Sequence, residues 1–127
     1  MTHEEAAKYA AAWATAWNER DVERVLGLFS QDITFTSPTA LALVGTATVR
    51  GKAALRAYWT DAMGRIGSLR FTLDRVVWDA AARELAIVYL SDIDGRTKRV
   101  SENLTFGENG LVVNAEVFHG VPSPEVK

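Results

Sequence analysis

The sequence contains no cysteine among its 127 residues and only two histidines. Without thiols the chain can form neither a disulfide nor a thiolate nucleophile, and no cysteine metal site. His3 and His119 are too few for a histidine-rich metal centre, so we predict no metal. The sequence also implies no organic cofactor. The formal net charge of −2 lacks the positive excess of a nucleic-acid-binding domain.

Long apolar runs are also missing, since no stretch approaches the ~20 residues that span a bilayer. The first residues, 1–5, carry acidic side chains where a signal peptide would be basic. We therefore predict a cytoplasmic protein with no membrane partner. The length fits a single domain over residues 1–127. Four tryptophans offer unusually large apolar walls for a domain of this size.

Helical periodicity occupies the first half of the chain. Apolar residues recur at helical spacing over residues 3–18. Asp21 is a candidate N-cap for a second helix with an apolar stripe over 22–29. A third helix is predicted over 52–66, with Gly67 as its stop signal.

The second half changes to a period of two, which is typical of strands. Asp94-Gly95 is a strong signal for a two-residue turn, and residues 107–110 contain another turn signal. Helices followed by an antiparallel meander indicate the α+β class. The predicted strands span residues 70–78, 83–92, 97–106 and 111–119.

The segment 33–49 carries no charged residue. Residues 33–35 suit a short strand, whereas the apolar residues 41–44 lie in an expected loop. The segment either packs on the core of its own domain or forms a lid or dimer contact, because exposed apolar surface marks interaction sites.

Two turn registers place Glu102 on the apolar face of the predicted sheet. If Glu108-Asn109 forms a two-residue turn, Glu102 faces Ala115; if Asp94-Gly95 does so, it faces Ile87. A slip of one residue would turn Glu102 outward. The same face is predicted to hold Leu85, Tyr89, Val100, Leu104, Phe106, Leu111, Val113 and Val117.

A carboxyl group among apolar side chains is costly unless it is hydrogen-bonded or protonated. Burial should raise the pKa of Glu102, which makes it a candidate for acid/base chemistry. The small side chain of Ala115 would leave room for a ligand. Alternatively, Glu102 bonds Tyr89, a Trp indole or His119 and only satisfies a polar position in the core.

Three stretches of the chain resemble the nuclear transport factor 2-like superfamily, especially its SnoaL-like and ketosteroid-isomerase-like branch. They are residues 17–38, 49–59 and 102–120, and the resemblance extends over nearly the whole chain. It implies a cone-shaped fold, in which three N-terminal helices pack on a curved antiparallel sheet and enclose a pocket. It also implies a homodimer, for which we predict the outer face of the sheet. That face would present Ser101, Asn103, Asn114, Glu116 and Phe118.

The resemblance also suggests roles for individual residues. Glu102 matches the acid of the ketosteroid isomerase oxyanion hole, and Trp13 stands where that enzyme has a tyrosine. Ser37 occupies the position of the general base, but a serine alone cannot abstract a carbon-bound proton at neutral pH. Arg99 falls on the face opposite Glu102, so the Asp–Arg–Asp arrangement of epoxide hydrolases fits poorly. The polyketide-cyclase branch, with its inward acid, fits better.

These observations predict a small-molecule enzyme or binder for an apolar, cyclic or aromatic ligand, acting by isomerase- or cyclase-like acid/base chemistry. The alternative is a non-catalytic dimerisation or protein-interaction domain of the same fold, and the sequence leaves open whether catalysis occurs. The candidate catalytic residues are Glu102, Trp13, Tyr89 and His119. The candidate ligand-binding residues are Trp17, Phe35, Ser37, Tyr58, Trp59, Met63, Phe71, Trp78, Ile87, Leu104, Ala115 and Val117.

Overall fold

A computed structural model describes residues 1–122, so the last five residues of the predicted domain, 123–127, lie outside the described residues. The described part has α+β architecture, as the sequence predicts, with helices packed against one curved sheet. Its elements, in chain order, are α1 (His3–Asn18), α2 (Val22–Leu26), β1 (Phe29–Thr36), α3 (Pro38–Val44), β2 (Thr48–Arg50), α4 (Lys52–Gly64), β3 (Leu69–Asp79), β4 (Glu84–Ile93), β5 (Arg96–Phe106) and β6 (Val112–Pro122).

Helix α1 begins at a reciprocal cap. The Thr2 hydroxyl accepts the backbone N–H of Glu5, and the Glu5 carboxylate accepts the N–H of Thr2, at 3.1 and 2.7 Å. The buried face of the helix, with Trp13 and Trp17, packs against β3. The helix predicted over residues 3–18 is confirmed with its bounds.

The Asn18 side chain at the end of α1 forms two hydrogen bonds with the backbone of a single residue of β3, one to its carbonyl and one to its N–H. Its Nδ2 group donates to the carbonyl oxygen of Phe71 at 3.0 Å, and its Oδ1 atom accepts the Phe71 N–H at 2.7 Å. In the described part of the chain, strand β3 has only β4 as a neighbour in the sheet, so Asn18 occupies backbone groups on its free edge.

Helix α2 is shorter than predicted. Asp21 is its N-cap, as expected, and accepts the N–H of Arg24 at 3.1 Å. The helix ends at Leu26, where Gly27, a poor helix former, is the C-cap. Phe29 is the first residue of β1 and does not belong to the helical stripe. It is fully buried, and an apolar residue at this position suits the start of an inward-facing strand as well as a helix.

The segment after β1 contains a helix, α3, that is not among the predicted elements. Ser37 is the N-cap of α3, its hydroxyl accepting the N–H of Thr39 at 3.2 Å, and Pro38 takes the first position. Gly45 ends the helix with a φ of 80°. A Ser-Pro pair followed by a glycine is a recognised helix signal, so this element could have been found.

The apolar residues of α3 face outward. Leu41 is 55% exposed, and Val44 is exposed as well, while Ala40 is the buried residue of the helix. The interpretation that the segment 33–49 packs on the core holds for Ile33, Phe35 and Val49, which are buried, and fails for residues 41–44, which are exposed. The lid and dimer-contact interpretations stay predictions.

Helix α4 ends at Gly64, two residues before the predicted limit, and Arg65 is its C-cap. Gly67 is not the stop signal. Its backbone N–H donates to the Asp94 carboxylate at 2.9 Å, which ties the end of this connection to the β4–β5 turn.

The six strands are ordered β2-β1-β6-β5-β4-β3, and each neighbouring pair is antiparallel except β1–β6, which is parallel. Irregularities in register interrupt the β1–β6, β3–β4 and β5–β6 ladders. Such bulges bend a strand and increase its twist, which accounts for the curvature. Four helices, and not three, accompany the sheet within residues 1–122, because α3 adds to the predicted set.

The β4–β5 register is the one predicted from the Asp94-Gly95 turn. Ile87 pairs with Glu102, and Tyr89 pairs with Val100. The observed turn has positive φ at both central residues, as the favoured two-residue hairpin requires.

The predicted β5–β6 register is wrong by two residues. Glu102 pairs with Val117, and Ala115 pairs with Leu104, so Ala115 is not opposite the carboxyl group. The loop has three residues and not two, with Gly110 at a φ of 82°, and a bulge follows it. The longer loop and the bulge each shift the register by one residue, so the total shift is two residues. A shift of two returns a side chain to the same face of the sheet, and Glu102 therefore still points inward.

The bulge also changes which residue of β6 points inward at its start. Val112 is fully buried, while Val113 is 36% exposed, so the prediction that Val113 and Leu111 share the inner face is wrong. Strand β6 continues to Pro122, beyond the predicted end at His119. No helix in residues 1–122 is both long and apolar enough to cross a membrane.

Candidate functional site

The inner face of the sheet is organised in cross-strand layers, since directly paired residues share a face. Glu102 lies in the fourth layer from the β4–β5 turn, and the next layer beyond it is apolar. The layers run from Ile93 and Arg96, through Ser91, Lys98 and Pro122, then Tyr89, Val100 and His119, then Ile87, Glu102 and Val117, to Leu85, Leu104 and Ala115.

Glu102 is only 5% exposed, and its Oε2 atom is buried without a hydrogen-bond partner among residues 1–122. Burial raises the pKa of its carboxyl group to about 8, because the charged form loses its hydration. The Trp13 indole opposes this rise in pKa, although its N–H forms no hydrogen bond of good geometry. Near neutral pH most of the carboxyl group is therefore protonated and can donate a hydrogen bond, as the sequence predicts.

Three tyrosines lie near Glu102. Burial raises the pKa of Tyr9, Tyr58 and Tyr89, and the carboxylate of Glu102 adds to each rise; the pKa of Tyr58 reaches about 12. All three phenols therefore stay protonated at neutral pH. Tyr9 was not predicted, although it lies one helical turn before Trp13 on α1 and its hydroxyl is buried without a partner.

The aromatic residues predicted to bind ligand form one connected group beside the carboxyl group. Tyr89 contacts Trp13 and Phe71, with ring centroids 5.1 and 4.6 Å apart. Trp17 contacts Trp59 at 4.8 Å. Phe35 completes the group, because its ring contacts both Trp59 and Tyr58.

Two further predicted ligand-binding residues, Trp78 and Met63, are partly buried against the same core. Trp78 packs on Phe106 with ring centroids 5.8 Å apart, beside Leu85 in the layer beyond Glu102. Met63 is partly buried against the core on α4. The remaining apolar candidates of the sheet, Ile87, Leu104, Ala115 and Val117, are buried on the inner face.

The two polar candidates have different surroundings. Ser37 is buried, and its hydroxyl is engaged as the cap of α3, which is incompatible with a free base. His119 is half-buried one layer above Glu102. Burial and the positive charge of Lys98 lower the pKa of His119, so it is neutral at pH 7.

Two open clefts are found among residues 1–122. One, of about 900 Å³, lies between the β4–β5 hairpin and the ends of α3 and α4. The other, of about 470 Å³, lies between α3, β2 and α4, and Tyr58 is the one predicted ligand-binding residue that lines it. Glu102 lines neither cleft, so a cavity beside the carboxyl group stays a prediction.

Two residues that line the larger cleft, Ser91 and Lys98, are not among the predicted site residues. Ser91 is buried on the inner face and pairs with Lys98. The register drawn from the Asp94-Gly95 turn already contained this pair, one position above Tyr89 and Val100, and could have identified both.

The comparisons with known proteins agree with this architecture. A family model of the SnoaL-like domain matches residues 10–114. No curated protein matches the chain significantly. The chain is similar to a solved SnoaL-like protein of unknown function from Burkholderia thailandensis, with 26% identity and a TM-score of 0.84 over 94% of this chain and 98% of the other.

Two further structures are alike in fold at lower identity. A putative ketosteroid isomerase from Kribbella flavida is 16% identical, with a TM-score of 0.73 over 97% of this chain and 84% of the other. SalBIII, an epoxide hydrolase/cyclase-like enzyme of pyran ring formation in the polyether salinomycin, is 17% identical, with a TM-score of 0.72 over 92% of each chain.

Proposed function

Because this chain belongs to the SnoaL-like domain family, we propose that it acts on a small apolar molecule, cyclic or aromatic, by acid/base chemistry at Glu102. The observation that supports the proposal is a buried carboxyl group with a pKa of about 8 and no partner for Oε2, surrounded by phenols and an indole. Structural neighbours include a putative ketosteroid isomerase and a cyclase-like enzyme, which favours isomerase or cyclase chemistry.

In this proposal, protonated Glu102 donates a hydrogen bond to a ligand oxygen that gains negative charge during the reaction. Trp13 and Tyr89, whose rings touch, supply further donors near that oxygen. Donors held in a dry site stabilise such charge more than water does, since they need no reorganisation. Neutral His119, one layer nearer the turn, is a candidate second acid/base group. We propose that the reaction takes place in the cytoplasm and that it needs no cofactor.

Exchanging Glu102 for Gln keeps the size of the side chain and removes its transferable proton. Native mass spectrometry of the purified wild type identifies a retained small molecule together with the subunit count. Turnover of that molecule by Glu102→Gln should fall roughly 10²–10⁴-fold, the usual contribution of a general acid. Glu108→Gln, at an exposed carboxylate of the β5–β6 loop, is the matched control and should match the wild type. Equal turnover and ligand retention in Glu102→Gln and the wild type would exclude the assigned role.

We also propose a homodimer through the outer face of the sheet, where large apolar side chains lie among polar ones. Phe118 is 53% exposed and Val77 is 55% exposed. Their neighbours on this face include Ser101 and Asn103, giving a mixed surface typical of protein interfaces. If the interior takes no ligand, this face instead supports the alternative function, a non-catalytic dimerisation or interaction domain.

Phe118→Glu should convert the dimer to monomer, because it places a charge in the centre of the proposed contact. Light scattering after size-exclusion chromatography measures the mass directly. Leu41→Glu, at an equally exposed apolar position, tests the competing dimer contact through α3 and should leave a dimer formed by the sheet intact. A monomeric wild type, or dissociation by Leu41→Glu alone, contradicts the interface.

A further inference from the structure

The larger cleft carries an excess of positive charge. Its lining includes Arg65, Arg96 and Lys98 against a single carboxylate, Asp94. Arg65 is neutralised by Asp61, with 3.0 Å between the two groups, and the Asp94 carboxylate is held by two backbone N–H groups of the preceding loop. Arg96 and Lys98 form no ion pair within residues 1–122.

The walls of the same cleft are apolar. Leu43 of α3, Ile66 after α4 and Ile93 of β4 line it, and buried Ser91 adds a hydroxyl on the inner face. Its volume of about 900 Å³ lies within the usual range of small-molecule sites. Apolar walls that carry two cations match a molecule that is itself apolar and bears one anionic group.

The register aligns this cleft with Glu102. Lys98 lies on the same strand and face, two layers away, and four residues of extended strand span about 13 Å. Glu102 does not itself line the cleft, and the layer of Tyr89, Val100 and His119 lies between it and Lys98. A ligand held at Lys98 therefore reaches Glu102 only if it passes this layer.

We propose that this cleft binds the carboxylate end of an amphiphilic ligand through Lys98 and Arg96, so that the substrate is an apolar carboxylic acid. The placement of its apolar end toward Glu102 rests on the proposed function, whereas the recognition of the carboxylate does not. Lys98 pairs with Ser91 across the strands, and the two offer an ammonium and a hydroxyl to the same anion.

The test compares two probes of nearly the same shape, 2-naphthylacetate and its uncharged amide, by calorimetric titration of the full chain. The wild type should bind the carboxylate about tenfold more tightly than the amide, and salt at about 0.5 M should remove that preference by screening the charges. Arg96→Gln/Lys98→Gln should lose the preference and keep the amide affinity. Arg70→Gln, which removes an exposed cation from the outer face, is the control and should behave as the wild type.

Equal affinities of the wild type for the two probes, no binding of either probe, or an undiminished preference in the double variant would overturn the proposal. Circular dichroism confirms that the variants are folded, which is expected because Arg96 is exposed and Lys98 half-buried. The test is independent of Glu102. A preference lost in Arg96→Gln/Lys98→Gln, with normal turnover in Glu102→Gln, supports the cleft and rejects the proposed chemistry.

Discussion

The free energy of unfolding of the wild type should fall by several kcal/mol between pH 5 and pH 8 relative to that of Glu102→Gln. The pKa of Glu102 is about 8 in the folded protein against an ordinary value of 4.5. Between these values the folded state holds a proton that the unfolded state has released, so stability is lost as pH rises. The difference of about 3.5 units corresponds to about 5 kcal/mol, at 1.36 kcal/mol per unit.

The comparison with Glu102→Gln isolates this effect from other carboxylates. Exposed Glu23 and Asp74 have lowered pKa values through Arg56 and Arg99, so their contributions to stability are lost only in acid, below pH 5. Both proteins contain them. Urea denaturation at pH 5, 6.5 and 8.5 gives the two stability curves. A difference between them that does not vary with pH would show that Glu102 is not held in its neutral form.

Trp13→Ala should cost about 3–5 kcal/mol of stability, the usual range for removing a buried aromatic side chain. Trp13 is fully buried, and its ring stacks on Phe71 and meets the edge of Tyr89, with centroids 5.8 and 5.1 Å apart. Truncation leaves a cavity beside Glu102. Denaturation at pH 5, where Glu102 is neutral in the folded state, measures the packing term alone.

Trp13→Phe is the matched variant for the indole N–H. It keeps a ring against Phe71 and Tyr89, so its cost should be well below that of alanine. Because Trp13 lowers the pKa of Glu102, its loss should raise that pKa further and extend the decline in stability to higher pH. A cost equal to that of Trp13→Ala would mean that ring packing contributes little. An unchanged pH profile would show that the indole does not influence the carboxyl group.

The inward position of Glu102 was predictable because the apolar pattern of β5 allows only one face to be buried. The two turns differ in how well they determine pairing. Asp94-Gly95 admits one short hairpin, and its register is confirmed. Residues 107–110 contain two glycines and admit loops of two or three residues, and the predicted two-residue loop is wrong. Because side chains alternate between faces with a period of two, a register error of two residues leaves Glu102 on the predicted face and changes only the residue that it pairs with.

The clefts could not be predicted in the same way. Their walls come from α3, α4 and the β4–β5 hairpin, elements far apart in the sequence, and α3 itself was missed. Periodicity identifies the buried face of each element but does not determine how closely the elements approach. The aromatic group around Tyr89 was identified as apolar, whereas the separation of Trp78 from it depends on where the helices cross the sheet.

The side chain of Asn18 has a consequence for self-association. An outer strand with unpaired peptide groups is a template on which another polypeptide can add a strand, the first step of amyloid-like growth. The carboxamide of Asn18 imitates a neighbouring peptide at Phe71, taking up both its donor and its acceptor. The last residue of the first helix thus obstructs a growth point for aggregates at this position of the edge.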